Sequence, residues 1–391
     1  MITYGYSGRS KNPRGEGNII AALQHPDRVC DVELDINGSQ LEKMSKVMKK
    51  PFPVLERLLI NSNDGSAPIL PGRFLGGSAP GLREIALHCI SYPALPTLLF
   101  SASNLVEFDY RDIPPTGYVS PMMMVACLAA LPRLKRFLME FRSATSRPDR
   151  IFPPPVTRTV LPALSHFEFV GANEYLEHLV ARIDGPQLDG IIITYLNQLV
   201  DLQVPQLSKF IDRSVGYKLT LFKHAEVFFQ NDWVSFTMYP RANHPFLDWR
   251  PARIFVSCKD LDWQVWHIAQ VVSQFSATIA TFVHLKLDID EDPQSQDTND
   301  VEWQHLLHQF STVKTLHVPR KLAAHVSLAL EDTTGETVVN VLPSLELIYL
   351  EGHPASSIEK FIAARQRSGR PVTLVRTETE FEERLKSYDS K

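Results

Sequence analysis

The stretch APGLREIALHCI, residues 79–90, contains the apolar spacing on which the fold prediction rests. Leu82, Ile85 and Leu87 follow one another at spacings of three and then two residues, just after Pro80. A spacing of two is the period of a β-strand, in which alternate side chains point to the same side. One such run predicts only a short strand, whereas its repetition at a steady interval predicts an array of stacked units.

The same apolar pattern recurs along the first half of the chain. Its successive starts are 27, 23, 29, 30 and 24 residues apart. This spacing is typical of leucine-rich repeats and indicates one strand in every unit. Motif positions 1, 4 and 6 are expected to point inward, while positions 3, 5 and 7 share an open face. The six copies are Leu55-Leu58-Ile60, Leu82-Ile85-Leu87, Leu105-Phe108-Tyr110, Leu134-Phe137-Met139, Leu164-Phe167-Phe169 and Leu188-Ile191-Ile193.

The pattern extends to both ends of the chain but weakens in the middle. Between Leu188 and Phe282, strands are predicted around Phe222-Ala225-Val227 and Ile254-Val256, and residues 227–239 alternate like a hairpin. Residues 217–253 are interpreted as an irregular or inserted repeat. The outer copies are Val29-Val32-Leu34, Phe282-Leu285-Leu287, Val313-Leu316-Val318 and Leu345-Ile348-Leu350.

Helical patterns separate the predicted strands. The segments are NIIAALQ, LEKMSKVM, YLEHLVARI, PQLSKFIDR, WQVWHIAQVVSQF, WQHLLHQF and SIEKFIAARQRSG. We predict an α/β fold, an irregular leucine-rich-repeat solenoid (horseshoe) with parallel strands on the concave face and helices on the convex face. Residues 1–16 form a polar lead, residues 17–377 the repeat domain and residues 378–391 a charged tail. The ninth-position asparagine of regular repeats occurs only at Asn37 and Asn63, so uneven curvature is expected.

Composition argues against several classes of protein. Apolar residues make up 44% and charged residues 21%, which is usual for a soluble chain with a large core. The net charge of −4 argues against a nucleic-acid partner, which would need clustered Lys and Arg. The four cysteines lie far apart without C-x-x-C spacing, so neither a zinc site nor a disulfide framework is predicted.

Targeting signals are also missing from the sequence. Residues 1–17 lack the apolar centre of a secretory signal. The longest apolar run, residues 122–131, is about half as long as a bilayer span. We therefore expect no membrane partner and a cytoplasmic or nuclear location, in a reducing compartment.

Enzyme motifs are not found. The sequence GGSAP at residues 76–80 has proline where a G-x-S-x-G elbow needs its last glycine. No G-x-x-x-x-G-K-[ST] or H-E-x-x-H motif occurs. Residues 288–292, DIDED, begin like a calcium loop, but Pro293 and Asn299 replace its glycine and glutamate. We predict no enzymatic activity and no cofactor.

Two further groups of side chains are interpreted as structural. His305 and His308 lie three residues apart, with no acidic or cysteine partner at ligand spacing, so no metal site is predicted. Trp263, Trp266 and Trp303 occur within helical segments and are interpreted as core residues, with a ligand cage as the alternative.

The predicted concave face is the first candidate binding site. Ile192, Phe228 and Phe255 beside Arg253 stand out, because aromatic and Arg side chains anchor interfaces. An ordinary solvent-exposed sheet face remains an equal alternative, and a register shift of one residue would turn these side chains into the core. The candidates are Glu107, Asp109, Arg136, Glu140, His166, Glu168, Ile192, Glu226, Phe228, Arg253, Phe255, His284 and Lys286, next to Asp31, Glu33, Asp35, Arg57 and Arg111.

A basic, proline-rich loop is the second candidate. Residues 142–158 contain Arg142, Arg147, Arg150 and Arg158 among several prolines, which favour an extended chain. A plain connecting loop is one interpretation. The other is a docking loop for an acidic or phosphorylated partner, since Arg side chains bind such groups bidentately.

Three longer stretches carry a resemblance to a known family: RFLGGSAPGLREIAL (residues 73–87), FRSATSRPDRIFPPPVTRTVLPALSHFEF (residues 141–169) and EYLEHLVARIDGPQLDGIIITYLNQL (residues 174–199). With the irregularly spaced repeats, they resemble the fungal F-box and leucine-rich-repeat proteins of mushroom-forming species over nearly the whole chain. In that family the F-box binds the adaptor of a Cullin-RING ubiquitin ligase, and the repeats hold a protein substrate. The resemblance implies a substrate receptor.

The chain departs from that family at one point. No L-P-x-E-[IV]-L-x-x-[IV]-F segment precedes the first repeat. Contact with the ligase adaptor would therefore require an F-box encoded upstream. We expect a non-enzymatic protein-binding module, the substrate-recognition region of an F-box-type ubiquitin ligase subunit. The alternative is a leucine-rich-repeat scaffold or sensor unrelated to ubiquitin.

Overall fold

The computed structural model contains two compact units. Unit 1 comprises residues 1–196 and 205–219, and unit 2 comprises residues 197–204 and 220–391. In each unit a mostly parallel β-sheet is connected through helices, so the predicted mixed α/β architecture is confirmed. The structure describes residues 2–5, 13–144, 157–196, 202–214, 222–239, 252–290, 300–330, 341–351 and 356–377.

Unit 1 contains a parallel sheet of eight strands. They are β1 (Ile2–Gly5), β2 (Asp31–Ile36), β3 (Arg57–Ser62), β4 (Glu84–His88), β5 (Glu107–Ile113), β6 (Arg136–Phe141), β8 (His166–Gly171) and β10 (Gly190–Tyr195), each paired with the next. The two-residue strands β7 (Thr159–Val160) and β9 (Ile183–Asp184) pair separately with each other. Because neighbouring strands run in chain order, each repeat lies beside the previous one.

The helices of unit 1 lie in the connections between strands. They are α1 (Pro13–Leu23), α2 (Gly38–Val47), α3 (Leu95–Ser101), α4 (Pro121–Ala129), α5 (Asn173–Val180) and α6 (Pro205–Arg213). Helices α3 to α6 pack successively against one another. The sequence did not predict α3 and α4, because their residues are apolar on most sides and show no clear helical period.

Unit 2 contains a seven-stranded sheet with one reversed strand. Its members are β11 (His224–Phe229), β12 (Trp233–Tyr239), β13 (Ala252–Ser257), β14 (His284–Ile289), β15 (Thr315–Val318), β16 (Leu347–Glu351) and β17 (Thr373–Thr377), in the order β13-β12-β11-β14-β15-β16-β17. Strand β12 is antiparallel to β11 and β13. The Gln230 N–H donates a 2.9 Å hydrogen bond to the Trp233 carbonyl and closes a tight turn between β11 and β12. This turn is too short for a parallel crossover.

The helices of unit 2 follow the same strand-helix alternation after β13. They are α7 (Leu261–Ser273), α8 (Ser276–Ile279), α9 (Asp300–His308), α10 (Ala323–Leu330) and α11 (Ser356–Arg367). Helix α9 packs against α7 and α10, and α10 packs against α11.

The inward motif positions form the core. Within residues 79–90, Leu82, Ile85 and Leu87 are at most 1% exposed. Aromatic side chains at the same motif position stack from strand to strand: Phe137 lies 5.5 Å from Phe108 and 5.2 Å from Phe167 between ring centroids. Each such pair contributes about 0.5–1.5 kcal/mol beyond its buried area. The core therefore depends on neighbouring repeats.

Asn37 shows why one of the two ninth-position asparagines is present. Its side chain accepts a 3.0 Å hydrogen bond from the backbone N–H of Gln40, whose own side chain accepts from the Asn37 N–H at 3.2 Å. This capping box starts α2 directly after β2. Replacing such a cap by alanine typically costs about 1 kcal/mol.

The structure corrects one interpretation of the tryptophans. Trp303 is fully buried, as predicted, but Trp263 is 53% exposed, so its assignment to the core is wrong. The buried stripe of α7 runs through Val265, Ile268 and Val272. Trp263 lies in the first turn of the helix, outside that stripe.

A second correction concerns the helix predicted over residues 175–183. It ends at Val180. Ile183 then enters β9, whose pairing with β7 requires an extended backbone.

Candidate functional site

The strands of unit 1 expose one side to solvent, as the motif predicts. In β2 and β8, buried side chains alternate with half-buried ones. We call the outward side chains of β2–β6, β8 and β10 the acidic face. It contains nine carboxylates, including Asp112 in an irregular part of β5, and three guanidinium groups. These are Asp31, Glu33, Asp35, Glu84, Glu107, Asp109, Asp112, Glu140 and Glu168, with Arg57, Arg111 and Arg136.

Arg57 links three strands of the acidic face. Its guanidinium group lies 3.1 Å from Glu84 on β4 and 3.7 Å from both Asp31 and Glu33 on β2. Parallel pairing places Asp31 and Glu84 in register with Arg57, and Glu33 follows Asp31 two residues later on the same side of β2. One guanidinium group thus contacts three carboxylates.

Asp109 is the centre of a second group. Arg111 Nε donates to its Oδ1 at 2.9 Å, and His88 Nε2 lies 3.3 Å from the same oxygen. Burial alone would raise the pKa of Asp109, but the approach of His88 and Arg111 lowers it below the usual value. Asp109 is therefore a fixed negative charge at neutral pH.

Glu140 lies in the same region and has the opposite tendency. Burial is the largest cause of its raised pKa, followed by the charge of Asp112. Glu168 and Asp109 raise it further, although Arg111 opposes them. The carboxylates around Glu140 add to the effect of burial on its pKa, and Arg111 opposes them only in part.

An irregularity in β5 places Asp112 beside β4. The pairing of β5 with β6 shifts between Tyr110 and Ile113, and Asp112 has a positive φ of 49°. Cys89 Sγ donates to Asp112 Oδ2 at 3.2 Å. Burial and then Asp112 raise the pKa of the Cys89 thiol, so it is not a ready nucleophile at neutral pH.

The outward side of unit 2 has a different composition. Phe228 of β11 and Phe255 of β13 flank Trp233 of β12, with ring centroids 5.7 Å and 5.2 Å from it. Both contacts are edge-to-face, with interplanar angles of 83° and 70°. We call these three rings the aromatic patch. Arg253 lies two residues before Phe255 on the same side.

Histidines occupy the neighbouring strands of unit 2. His224 and His284 stack at 4.4 Å, and His317 stacks on Tyr349 at the same distance. Burial, then the charges of His284 and His317, lower the pKa of His224 to about 4. Burial also lowers the pKa of His284 and His317, so the three imidazoles are uncharged at neutral pH.

Lys286 lies two residues after His284 on β14. Its ammonium group lies 2.7 Å from Asp288 and 2.9 Å from Glu226, which also accepts a 2.8 Å bond from the Tyr239 hydroxyl. Burial alone would lower the pKa of Lys286, but the hydrogen bonds to these carboxylates raise it above its ordinary value.

The face residues proposed from the sequence are thus distributed over two surfaces. The structure places Glu107, Asp109, Arg136, Glu140, His166, Glu168 and Ile192 on the outward side of unit 1, and Glu226, Phe228, Arg253, Phe255, His284 and Lys286 on the outward side of unit 2. Sequence reasoning omitted Trp233, His224, His317 and Tyr349. The outward position of Trp233 could have been predicted from the sequence. It is the first residue after the hairpin turn, and strand alternation places it on the same side as Ser235.

The basic loop is only partly described. Arg142 is exposed directly after β6, and Arg158 Nε donates to the Ala181 carbonyl at 3.2 Å. Arg147 and Arg150 lie outside the described residues. The docking role of this loop stays a prediction.

Metal and membrane features can be assessed for part of the chain. Among the described residues, no group of three or more His, Cys, Asp or Glu side chains is placed to hold a metal ion. Within the same residues, no helix has the length and apolar character needed to cross a membrane. Of the calcium-like segment 288–292, residues 291 and 292 lie outside the described part.

Comparison with known proteins gives a weak structural similarity to a leucine-rich-repeat protein. No family model matches it, and no curated protein matches it either. Among solved structures, it is similar to the leucine-rich repeat-containing protein LegL7 from Legionella pneumophila, with 11% identity and a TM-score of 0.33. The alignment covers 88% of this chain and 99% of that chain. With a likeness of this degree, the function must be inferred from the residues of this chain.

Proposed function

We propose that the chain is a non-enzymatic, leucine-rich-repeat-type protein-binding module that binds through the outward faces of its sheets. The observation that carries this proposal is the register of the strands, which gathers side chains from many repeats into one surface per unit. On the acidic face, seven strands at about 4.8 Å spacing, each about 17 Å long, give a projected area of roughly 500 Å². A surface of this order can supply much of one side of a standard protein interface, about 800 Å².

Three of the four thiols are poorly suited to nucleophilic catalysis. Burial is the main cause that raises the pKa of Cys127, to about 11, and those of Cys89 and Cys258 above their ordinary value. A catalytic cysteine needs the opposite environment, which favours the thiolate. A broad esterase and protease screen with measurable turnover would overturn this part of the proposal.

The face that binds a partner can be tested by substitution. We expect Phe255→Ala and Arg253→Ala to weaken recovery of specific proteins in affinity capture, because exposed aromatic and Arg side chains anchor interfaces. The melting temperature should change little, since both side chains are only partly buried. Trp263→Ala is the matched control, an exposed aromatic on α7 instead of the sheet. Equal recovery by all three variants would argue against the sheet face.

The sequence resemblance supports a more specific proposal. On the basis of the stretches that resemble fungal F-box and leucine-rich-repeat proteins, we propose that the module is the substrate-recognition region of an F-box-type ubiquitin ligase subunit. Binding of the ligase adaptor by this chain, or by a product extended upstream of Met1, tests it. If neither product binds the adaptor, the alternative is favoured: a repeat scaffold or sensor unrelated to ubiquitin.

A further inference from the structure

Negative charge is concentrated on one face of this chain. Nine carboxylates and three guanidinium groups give the acidic face a net charge of −6, whereas the whole chain carries only −4. Counting Arg142, which follows β6, the face is still more negative than the entire chain. The remaining residues are therefore slightly basic, and the charge of the face is not a reflection of a generally acidic composition.

The cations of the acidic face are already occupied. Arg57 contacts three carboxylates, and Arg111 contacts Asp109. Arg136 lies 3.7 Å from Glu107. With one Arg for every three carboxylates, most of the negative potential stays uncompensated.

The outward side of unit 2 provides an internal comparison. There, Arg253 and Lys286 stand among three carboxylates, Glu226, Asp288 and Glu351, and the histidines are neutral. The same strand-helix pattern thus carries a nearly balanced surface in one unit and a strongly acidic one in the other. Exposure of a sheet face alone does not explain this difference.

We propose that the acidic face docks a Lys- and Arg-rich segment of a partner protein. This inference rests on the proposed protein-binding function and names the chemistry of its partner. Complementary potentials accelerate association and exclude partners of the wrong charge. The seven strands from β2 to β10 in this sheet span about 29 Å, which matches an extended segment of about nine residues. Nucleic acids and anionic membranes are repelled by the same field.

The probe is a fluorescein-labelled peptide of about nine residues in which Lys and Arg alternate with Ser. A second peptide carries Glu at every basic position. Fluorescence anisotropy with the full chain should show binding of the basic peptide only. Its affinity should fall as ionic strength rises from about 0.05 M to about 0.3 M, because screening shortens the reach of exposed charges.

Substitutions locate the binding surface. Glu140→Gln with Glu168→Gln removes two carboxylates and keeps their shape, and we expect about 5-fold weaker binding. Glu33→Gln with Glu107→Gln is a second pair, with 44% and 43% of these side chains exposed, so folding is not at risk. A circular-dichroism melt checks each variant.

The matched control is Glu42→Gln with Glu359→Gln. It changes the net charge by the same amount on α2 and α11, away from the face, and should leave binding unchanged. If the control weakens binding as much as the face variants, the attraction is nonspecific and the proposal fails. If the basic peptide does not bind, docking of a basic segment on the acidic face is refuted. The protein-binding function still stands in that case, provided that Phe255→Ala weakens the recovery of specific proteins in affinity capture. If the basic peptide does not bind and Phe255→Ala also leaves protein recovery unchanged, the proposed function is refuted as well.

Discussion

Glu177 is the carboxylate whose ionisation we expect to affect the stability of unit 1 most strongly. It lies on α5, and its two oxygens accept hydrogen bonds from the N–H groups of Gln206 at 2.8 Å and Leu207 at 2.9 Å, at the start of α6. The residue before Pro205 is Val204, which has no polar side chain for a cap. Glu177 therefore provides from a neighbouring helix the acceptors that an Asp or Ser cap would provide locally.

Burial dominates the ionisation of Glu177. It raises the pKa from 4.5 to about 7, although the two N–H bonds and then Lys209 act in the opposite direction. The folded chain consequently binds this proton more tightly than the unfolded chain. Stability from this group is fully present below pH 4.5 and is lost as pH rises through about 7. At 1.36 kcal/mol per unit of pKa, the change amounts to about 3 kcal/mol.

Urea unfolding of the wild type and of Glu177→Gln between pH 5 and pH 8 tests this value. A glutamine has one carbonyl oxygen, so one of the two N–H groups loses its acceptor at a cost of about 1–3 kcal/mol at every pH. The variant should therefore be less stable than the wild type at pH 5 and similar to it at pH 8. Glu42→Gln, on an exposed part of α2, is the control, and its stability difference from the wild type should be the same at pH 5 and pH 8.

Two results would contradict a raised pKa of Glu177 in the folded chain. A stability difference that does not change with pH would show that its pKa is the same in the folded and unfolded chain. A wild type that gains stability relative to the variant as pH rises would show that the N–H groups and the helix dipole outweigh burial.

Three further predictions concern other parts of the chain. Trp303→Ala should cost about 3–5 kcal/mol in urea unfolding, because Trp303 is fully buried, whereas Trp263→Ala should cost less than about 1 kcal/mol. Iodoacetamide should modify the exposed Cys30 in the folded chain but reach buried Cys127, with its pKa of about 11, only after unfolding. The C2 proton of His224 should titrate near pH 4 in NMR spectra. The stability that this lowered pKa contributes should be present above pH 6.5 and lost as pH falls to about 4. A titration midpoint near pH 6.5 would contradict the buried imidazole stack.

The repeat pattern allowed much of unit 1 to be predicted from its sequence. Leu82, Ile85 and Leu87 are buried and Glu84 is outward, because a strand has a period of two and one side of this sheet is covered. The outward positions of the acidic face followed from the same rule. Their pairing did not: the three contacts of Arg57 depend on which strands lie side by side, and this is decided by the packing of the connections between them.

The middle of the chain was harder to predict for a physical reason. A short turn before Trp233 reverses β12, so the parallel repeat is interrupted and no single spacing describes residues 217–253. The histidine stack was missed because His224 and His284 are 60 positions apart in sequence and meet only through the pairing of β11 with β14. Trp263 was misassigned because an aromatic residue in the first turn of a helix can satisfy a helical spacing without lying on its buried stripe.

The two outward faces should hold their partners by different physics, and kinetics can separate them. Exposed charges act over a Debye length and mainly set the association rate, so amide substitutions on the acidic face should slow association and reduce its salt dependence. The aromatic patch acts only on contact, so Phe255→Ala should speed dissociation and leave the salt dependence unchanged. Surface plasmon resonance with a captured partner of each face, at two ionic strengths, distinguishes these cases. Identical kinetic effects of both substitutions would mean that the chemical difference between the faces does not determine binding.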